Sequence, residues 1–183
     1  MTVWPFSSLA MLLVVSAMAS RAAIGGPAVD ANDALWLEAQ HLIVPVQGVA
    51  SSALRPAFDE RRGGRPHEAL DIAAPRGTPV VAAGDGRVVK LFDSKPGGLT
   101  IYQFDPSGRF AYYYAHLDRY AEGLHEGSSL TKGDVVGYVG TSGNAPPNAP
   151  HLHFAIFRLG PEQRWWQGTA IDPLPYLRVR PPS

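Results

Sequence analysis

Between residues 79 and 157 the chain is a succession of short runs of β-branched and aromatic residues, each ended by turn residues. Such runs, bounded by Gly, Asp or Pro, are typical of β-strands. We predict strands over residues 79–83, 87–92, 99–104, 109–114, 135–140 and 151–157. Because no amphipathic helix intervenes, the pattern favours a mainly β fold, an antiparallel β-sandwich or barrel.

Two turn sequences predict how neighbouring strands are joined. Gly84-Asp85-Gly86 separates the first two predicted strands, and an Asp-Gly pair flanked by apolar runs indicates a β-hairpin. Asp105-Pro106-Ser107-Gly108 separates the third and fourth strands and predicts a second hairpin.

The N-terminal segment has the composition of a targeting sequence. Residues 1–20 carry no charged side chain, and residues 9–19 form an apolar run that suits a signal peptide and is short for a bilayer span of ~20 residues. We expect a signal peptide over residues 1–19 and export to the periplasm, the cell envelope or the medium, with no stable membrane insertion after cleavage. An uncleaved membrane anchor is the alternative.

A lead-in follows over residues 20–44. Leu35, Trp36, Ala39 and Leu42 recur at near-helical spacing, which predicts one short helix with Asn32 or Asp33 as its N-cap and an end near residue 41. Whether the lead-in covers a binding cleft is open.

The composition excludes several functions. The chain has no cysteine, which rules out disulfide frameworks, cysteine-ligated metal centres and cysteine nucleophiles. The 16 basic side chains balance the 16 acidic ones, so no general field attracts nucleic acid, and we expect no nucleic-acid partner. The remaining candidates for chemistry are the six histidines and the carboxylates near them.

Four histidines and one aspartate form a pattern. His151 and His153 alternate in one strand, so both rings face one side with Cα atoms ~6.6 Å apart. His67 and Asp71 would lie ~13 Å apart in an extended strand, too far for one ion, so a bend must separate them. His116 ends a predicted strand, where the chain leaves the sheet. His41 and His125 fit no pattern and are expected to be ordinary surface residues.

Two imidazoles and one carboxylate suit zinc and leave its fourth position open for water. His67, Asp71 and either histidine of the His-Leu-His pair supply such a set. From spacing alone, the choice between His151 and His153 is open.

Three motifs occur in order: His67-x-x-x-Asp71, Tyr-Ala-His116-Leu and His151-Leu-His153-Phe, with Gly-Thr-Pro-Val and Lys-Gly-Asp between them. This ordered set resembles peptidase family M23, the LytM/lysostaphin-type zinc endopeptidases of bacterial cell walls. The resemblance covers residues 45–177 and implies a LytM domain with a duplicated hybrid motif, followed by a C-terminal tail over residues 178–183.

The resemblance also implies a site and an activity. Zinc (Zn²⁺) would be bound by His67, Asp71 and His153, with His116 and His151 as the catalytic pair. The implied function is hydrolysis of peptidoglycan peptide crosslinks through a metal-activated water, by a monomer that binds stem or bridge peptides. The bond cleaved, the target wall and the separate roles of the catalytic pair stay open.

Three loops are expected to line the substrate groove: residues 92–99, 120–129 and 141–150. The alternative function is a non-catalytic or weakly catalytic LytM-type module that binds peptidoglycan or regulates a cell-wall hydrolase. A lipoyl-type carrier domain is a third possibility, suggested by the Gly-Asp-Gly and Lys-Gly-Asp hairpin sequences, but it would leave the histidines without a role.

Overall fold

The computed structural model describes residues 30–177. The predicted signal peptide, residues 20–29 and the predicted tail over 178–183 lie outside the described residues. The elements follow one another as α1 (Ala31–Ala39), a 3₁₀ turn (Ser51–Ala53), β1 (Arg61–Arg62), β2 (Arg65–Pro66), β3 (Leu70–Ala73), β4 (Pro79–Val81), β5 (Gly86–Ser94), β6 (Gly98–Phe104), β7 (Phe110–Tyr120), β8 (Ser129–Leu130), β9 (Val135–Val139), β10 (His151–Leu159), β11 (Gly168–Ile171) and α2 (Leu174–Leu177).

The fold is mainly β and antiparallel, as the strand pattern predicts. One nine-stranded sheet runs in the order β11-β10-β7-β6-β5-β8, while β3 adds to β10, and β9 joins β4 to β7. A separate two-stranded ribbon, β1-β2, lies outside this sheet. In the described part of the chain, no helix is long and apolar enough to cross a membrane.

One predicted hairpin is confirmed and the other is wrong. Residues 105–108 join β6 to β7, with Phe104 opposite Ala111. Strands β4 and β5 flank the Gly84–Gly86 turn but pair with different partners, β4 with β9 and β5 with β6 and β8. The backbone at Gly86 lies so close to β6 that a Cβ atom there would be 2.0 Å from the carbonyl oxygen of Phe104. The turn therefore carries the chain onto β6 instead of back along β4.

Alternate residues of the central strands divide between the core and a second face of the sheet, as the two-residue period of a strand requires. Tyr112 and Tyr114 of β7 are fully buried, as are Phe154 and Ile156 of β10. The intervening residues, including the partly exposed Tyr113 and His153, lie on the other face. That second face carries the candidate site.

The predicted lead-in helix is present as α1, but its cap is different. Asp30 is the N-cap, and its carboxylate accepts a hydrogen bond from the backbone N–H of Asn32 at 2.9 Å. Asp33 cannot be the cap because it is buried and pairs with Arg109 and with Nε of Arg158 at 2.6 Å.

Helix α1 is packed against the sheet far from the histidines of the candidate site. Leu37 is fully buried, and Trp36 donates a hydrogen bond to Asp105 at 3.2 Å. Arg158, a partner of α1, lies five residues along β10 from His153. At about 3.3 Å per residue, α1 is fixed roughly 16 Å along the strand from the candidate site.

Candidate metal centre

Three predicted ligand atoms lie at equal distances from one another. His67 Nε2, Asp71 Oδ1 and His153 Nδ1 are separated pairwise by 3.1 Å. These residues form the one group in the described chain whose histidine and carboxylate atoms could hold a metal ion. The structure thus brings His153, rather than His151, together with His67 and Asp71.

Local backbone conformation explains how residues four positions apart meet. Glu68 adopts a left-handed conformation with φ of 57°, which supplies the bend that the spacing requires. Strand β3 begins after this bend at Leu70, and the N–H of His67 bonds to the carbonyl of Glu60 at 2.8 Å.

Strand pairing brings in the third ligand. Asp71 of β3 lies directly opposite His153 of β10, and Ile72 lies opposite Leu152. Directly opposed residues of antiparallel strands project to the same face. Leu152 and Ile72 fill the core, so Asp71 and His153 are directed away from it.

This arrangement fits a tetrahedral metal ion. A triangle with 3.1 Å sides has corners about 1.8 Å from its centre (3.1 divided by √3), shorter than the 2.0–2.1 Å of a zinc–nitrogen bond. One ion can therefore reach all three atoms. His67 has the correct tautomer, because its Nδ1–H donates to the carbonyl of Ala57 at 3.2 Å and leaves the Nε2 lone pair free.

Arg62 holds the outer oxygen of the aspartate. Its Nη1 donates to Asp71 Oδ2 at 2.6 Å, and its Nη2 donates to Glu60 at 3.2 Å. Oδ1 of Asp71 is left to face the two imidazoles. Arginine thus orients the carboxylate from the side opposite the ligand triangle.

Charge in this group is set by burial and by hydrogen bonds. Burial opposes ionisation of Asp71, but hydrogen bonds from His153 and Arg62 outweigh it and hold the carboxyl pKa below its usual value. Burial lowers the pKa of His67, which favours the neutral ring that a metal requires.

His116 lies at a bulge in β7, not at its end. The sequence predicts that the chain leaves the sheet here, but β7 continues to Tyr120. The strand pairs with β10 up to Ala115 and with β9 from Leu117 onward. His116, with φ of 60°, is the residue at which the strand changes partner.

Two loops fix the position of His116. Its backbone N–H donates to the carbonyl of Gly97 at 2.8 Å, and its Nδ1 lies 2.8 Å from the carbonyl of Ser142. Nδ1 therefore carries the proton and Nε2 is an acceptor. Burial lowers the pKa of His116 to about 4, so the ring is neutral at pH 7.

His151 is the second ring beside the triangle. Its Nδ1 donates to the carbonyl of Ala149 at 2.8 Å, which leaves Nε2 as an acceptor 3.8 Å from Asp71 Oδ2. The ring centroid of His116 lies 5.0 Å from that of His151 and 5.6 Å from that of His153. All five predicted site residues are therefore neighbours.

A cavity of about 250 Å³ opens beside these rings. Its walls are residues from five parts of the chain: Arg62, Pro66, His67, Pro96, Gly97, Tyr113, Ala115, His116, Asn144 and His153. Two of the three predicted groove loops, 92–99 and 141–150, contribute to it.

The third predicted groove loop, 120–129, contributes no residue to this cavity. Glu126 instead pairs with Lys90 at 2.7 Å and accepts a hydrogen bond from the N–H of Leu91 at 3.2 Å. These contacts hold the loop against β5.

Comparison with known proteins decides the family. The model of peptidase family M23 matches residues 65–173, more than half of the 183-residue chain, and includes every residue of the site except Arg62. The chain belongs to peptidase family M23. The sequence resemblance is thereby confirmed, and the carrier-domain alternative is wrong.

Relatives of this M23 chain include named endopeptidases. It is 35% identical over 122 residues to the L-Ala–D-Glu endopeptidase of Bacillus subtilis, covering 64% of this chain and 36% of that protein. It is 30% identical over 113 residues to the glycyl-glycine endopeptidase ALE-1 of Staphylococcus capitis, covering 61% of this chain and 29% of the relative. The chain thus spans about a third of the length of these relatives.

The fold agrees with that of a solved M23 domain. The catalytic domain of lysostaphin from Staphylococcus simulans superposes with a TM-score of 0.55 at 26% identity, covering 78% of this chain and 96% of that domain. The chain therefore combines membership of a peptidase family with a group of side chains that could hold a metal ion.

Sequence reasoning missed two residues of the M23 site. Arg62 lies in a stretch with three other arginines, and nothing distinguishes it until the fold places it against Asp71. Tyr113 lies within a run of three tyrosines, where strand alternation could have shown that it faces away from its buried neighbours.

Proposed function

We propose that this protein is a zinc-dependent endopeptidase that hydrolyses peptide crosslinks of bacterial peptidoglycan. The observation that carries the proposal is the 3.1 Å triangle of ligand atoms with His116 and His151 beside it. The zinc ligands are His67 Nε2, Asp71 Oδ1 and His153 Nδ1.

Zinc bound there would supply Lewis-acid polarisation of a peptide carbonyl and would make water more acidic. The chain's own residues manage the proton. His116 is neutral, and its fixed Nδ1–H bond to Ser142 leaves Nε2 to accept a proton. His151 offers Nε2 in the same way, because its Nδ1 is bonded to Ala149. General acid–base help of this kind contributes ~10²–10⁴ in rate.

The proposed substrate follows from the relatives' names. They specify an L-Ala–D-Glu and a glycyl-glycine endopeptidase, and both bonds belong to peptides. We propose peptidoglycan stem or bridge peptides for this chain, bound in the cavity between residues 92–99 and 141–150. We further propose a signal peptide over residues 1–19, export to the periplasm or cell envelope, a peptidase domain over 45–177 and action as a monomer.

The test is release of soluble fragments from purified sacculi, measured by mass spectrometry with added zinc and with a chelator. Wild-type protein should release muropeptides only with zinc. Asp71→Asn and His153→Ala should lose both bound zinc and release, because two ligands do not retain the ion. His125→Ala, at an exposed histidine outside the site, is the matched control and should behave like wild type.

Two outcomes contradict the proposal. Zinc-loaded His153→Ala protein with full metal content would refute the ligand assignment. Zinc-loaded wild-type protein that binds sacculi but releases no fragment would instead support the non-catalytic module.

A further inference from the structure

A row of aromatic side chains leads away from the metal centre on the same face of the sheet. We call Phe92, Tyr102, Tyr113, Trp165 and Trp166 the aromatic row. Tyr113 of β7 lies opposite Tyr102 of β6 and opposite Ala155 of β10, two residues from His153. Residues in register project to one face, so the row and the ligand triangle share it.

The row is continuous with the site. The ring of Tyr113 lies 6.0 Å from that of His153, and Tyr113 also lines the cavity. From Tyr113 the next ring, Tyr102, is 4.6 Å away, and Trp165 is 4.9 Å beyond it. These separations are typical of contacting aromatic rings.

The far end of the row is open to solvent. Trp165 contacts Phe92 at 5.6 Å and Trp166 at 5.3 Å. Phe92 is 42% exposed and Trp166 is 63% exposed, although both are large apolar side chains. Clustered exposed apolar rings beside a cleft indicate a binding surface, whereas scattered ones need no explanation.

The chemistry of the row matches a sugar ring. Its side chains are rigid and flat, none is ionised, and tyrosine and tryptophan add polar groups at the ring edges. A pyranose has an apolar C–H face for stacking and hydroxyls at its rim.

An extended peptide would fit this surface less well. Bound peptides satisfy their backbone groups by pairing with a strand edge. The aromatic row instead crosses the strands, and at Tyr102 and Tyr113 both edges of β6 and of β7 are already paired. Polar peptide groups laid on these rings would lose hydrogen bonds to water without replacement.

We propose that the aromatic row binds a sugar ring of the peptidoglycan glycan strand while the attached peptide enters the metal centre. The proposal rests on the proposed function. Each of the three steps from His153 to Trp165 spans between 4.6 and 6.0 Å. The whole path is therefore no longer than four or five extended residues at ~3.3–3.6 Å each, a distance that a short peptide can span.

The first experiment measures sugar binding without catalysis. Oligomers of N-acetylglucosamine are titrated into the zinc-free protein while tryptophan fluorescence is recorded. The tryptophan fluorescence of wild-type protein should change in a saturable way as the oligomer is added. Trp165→Ala and Trp166→Ala should weaken binding about tenfold, and Leu35→Ala, at a 64% exposed apolar residue on α1, should bind like wild type. The absence of a saturable change in wild type would overturn the proposal.

The second experiment compares two substrates with the same crosslinked peptides. One retains its glycan chains, and the other has had them removed by an amidase. Zinc-loaded wild type should have the higher kcat/KM on the glycan-bearing substrate. The kcat/KM of Trp166→Ala, which truncates a 63% exposed ring, should fall about tenfold on that substrate and stay within twofold of wild type on the sugar-free one.

The outcomes separate the two proposals. An equal loss on both substrates would overturn sugar binding and make the aromatic row part of the peptide site. If wild type cleaves neither substrate, the proposed function fails, and the fluorescence titration still decides whether the row binds sugar.

Discussion

Arg62 and Asp71 are joined through the oxygen that the ligand triangle does not use. Nη1 of the arginine lies 2.6 Å from Oδ2, while Oδ1 lies 3.1 Å from each imidazole nitrogen. The two oxygens of one carboxylate thus have separate partners. Outer partners of this kind orient metal ligands, and their loss typically weakens metal binding.

Replacing Arg62 should therefore weaken metal binding. We expect Arg62→Ala to raise the Kd for zinc about 10- to 100-fold, because Asp71 loses the bond that fixes its orientation. Zinc affinity is measured by competition with a chromogenic chelator. Arg61→Ala is the control, since Arg61 bonds only the nearby Gly64 carbonyl among the contacts seen in the described residues. Equal affinities for the Arg62 and Arg61 variants would contradict the prediction.

His116 should be needed for turnover but not for metal retention. We expect His116→Ala to bind zinc with wild-type stoichiometry and to lose about 10²–10⁴ in kcat, because a proton acceptor is removed while the three ligands remain. Metal content and fragment release are measured on the same preparation. Unchanged turnover would make His116 a packing residue.

Asp118 should make stability sensitive to acid. A hydrogen bond from Arg76 Nε at 2.7 Å, with a second from Arg119, lowers the pKa of Asp118 from its usual value near 4. A carboxylate whose folded pKa is depressed contributes stability above its unfolded pKa and loses it as pH falls through the folded pKa. We expect Asp118→Asn to flatten the decline in unfolding free energy below pH 4.

Urea unfolding at a series of pH values measures this effect in the metal-free protein. Arg76→Ala removes the partner instead of the acid and should flatten the decline in the same direction. If the unfolding free energy of both variants declines with falling pH as steeply as that of wild type, the ion pair does not contribute to stability in acid.

Gly98 should resist substitution for two reasons. Its φ of 61° is left-handed, and a Cβ atom there would lie 2.2 Å from Ser142 Oγ and 2.4 Å from the backbone nitrogen of Gly143. We expect Gly98→Ala to destabilise the protein by more than about 2 kcal/mol, from backbone strain and overpacking together.

Gly123→Ala is the matched control, with φ of 75° and nothing within 4 Å of the added methyl group. We expect Gly123→Ala to lower the free energy of unfolding by about 1 kcal/mol, from backbone strain alone. Thermal and urea unfolding of both variants measure the difference. Equal losses of unfolding free energy in the two variants would show that the close contact of Gly98 with Ser142 and Gly143 does not add to the cost of the substitution.

Strand periodicity predicted the fold class and the shared face of His151 and His153, because alternation is a local property of a strand. Distance reasoning predicted a bend between His67 and Asp71, and Glu68 provides it. Both inferences use only the geometry of a few consecutive residues, which explains their success.

The predictions that were wrong all depend on distant partners. Gly84–Gly86 has a hairpin sequence, but β6 and β9 decide where its flanking strands pair. Asp33 is a residue type that commonly caps helices, yet Arg109, just before β7, and Arg158 of β10 pair with its buried carboxylate. The continuation of β7 past His116 likewise depends on β9, which lies some twenty residues further along the chain.

At His116 one edge of β7 changes partner from β10 to β9, while the other edge stays paired with β6 on both sides of the bulge. His116 belongs to the junction, while His151 and His153 are carried by β10 on one side of it. The two sides are also joined directly, because Gly140 after β9 bridges to His151 and Nδ1 of His116 donates to the carbonyl of Ser142. The loop between β9 and β10 therefore holds the rings of His116 and His151 with their centroids 5.0 Å apart.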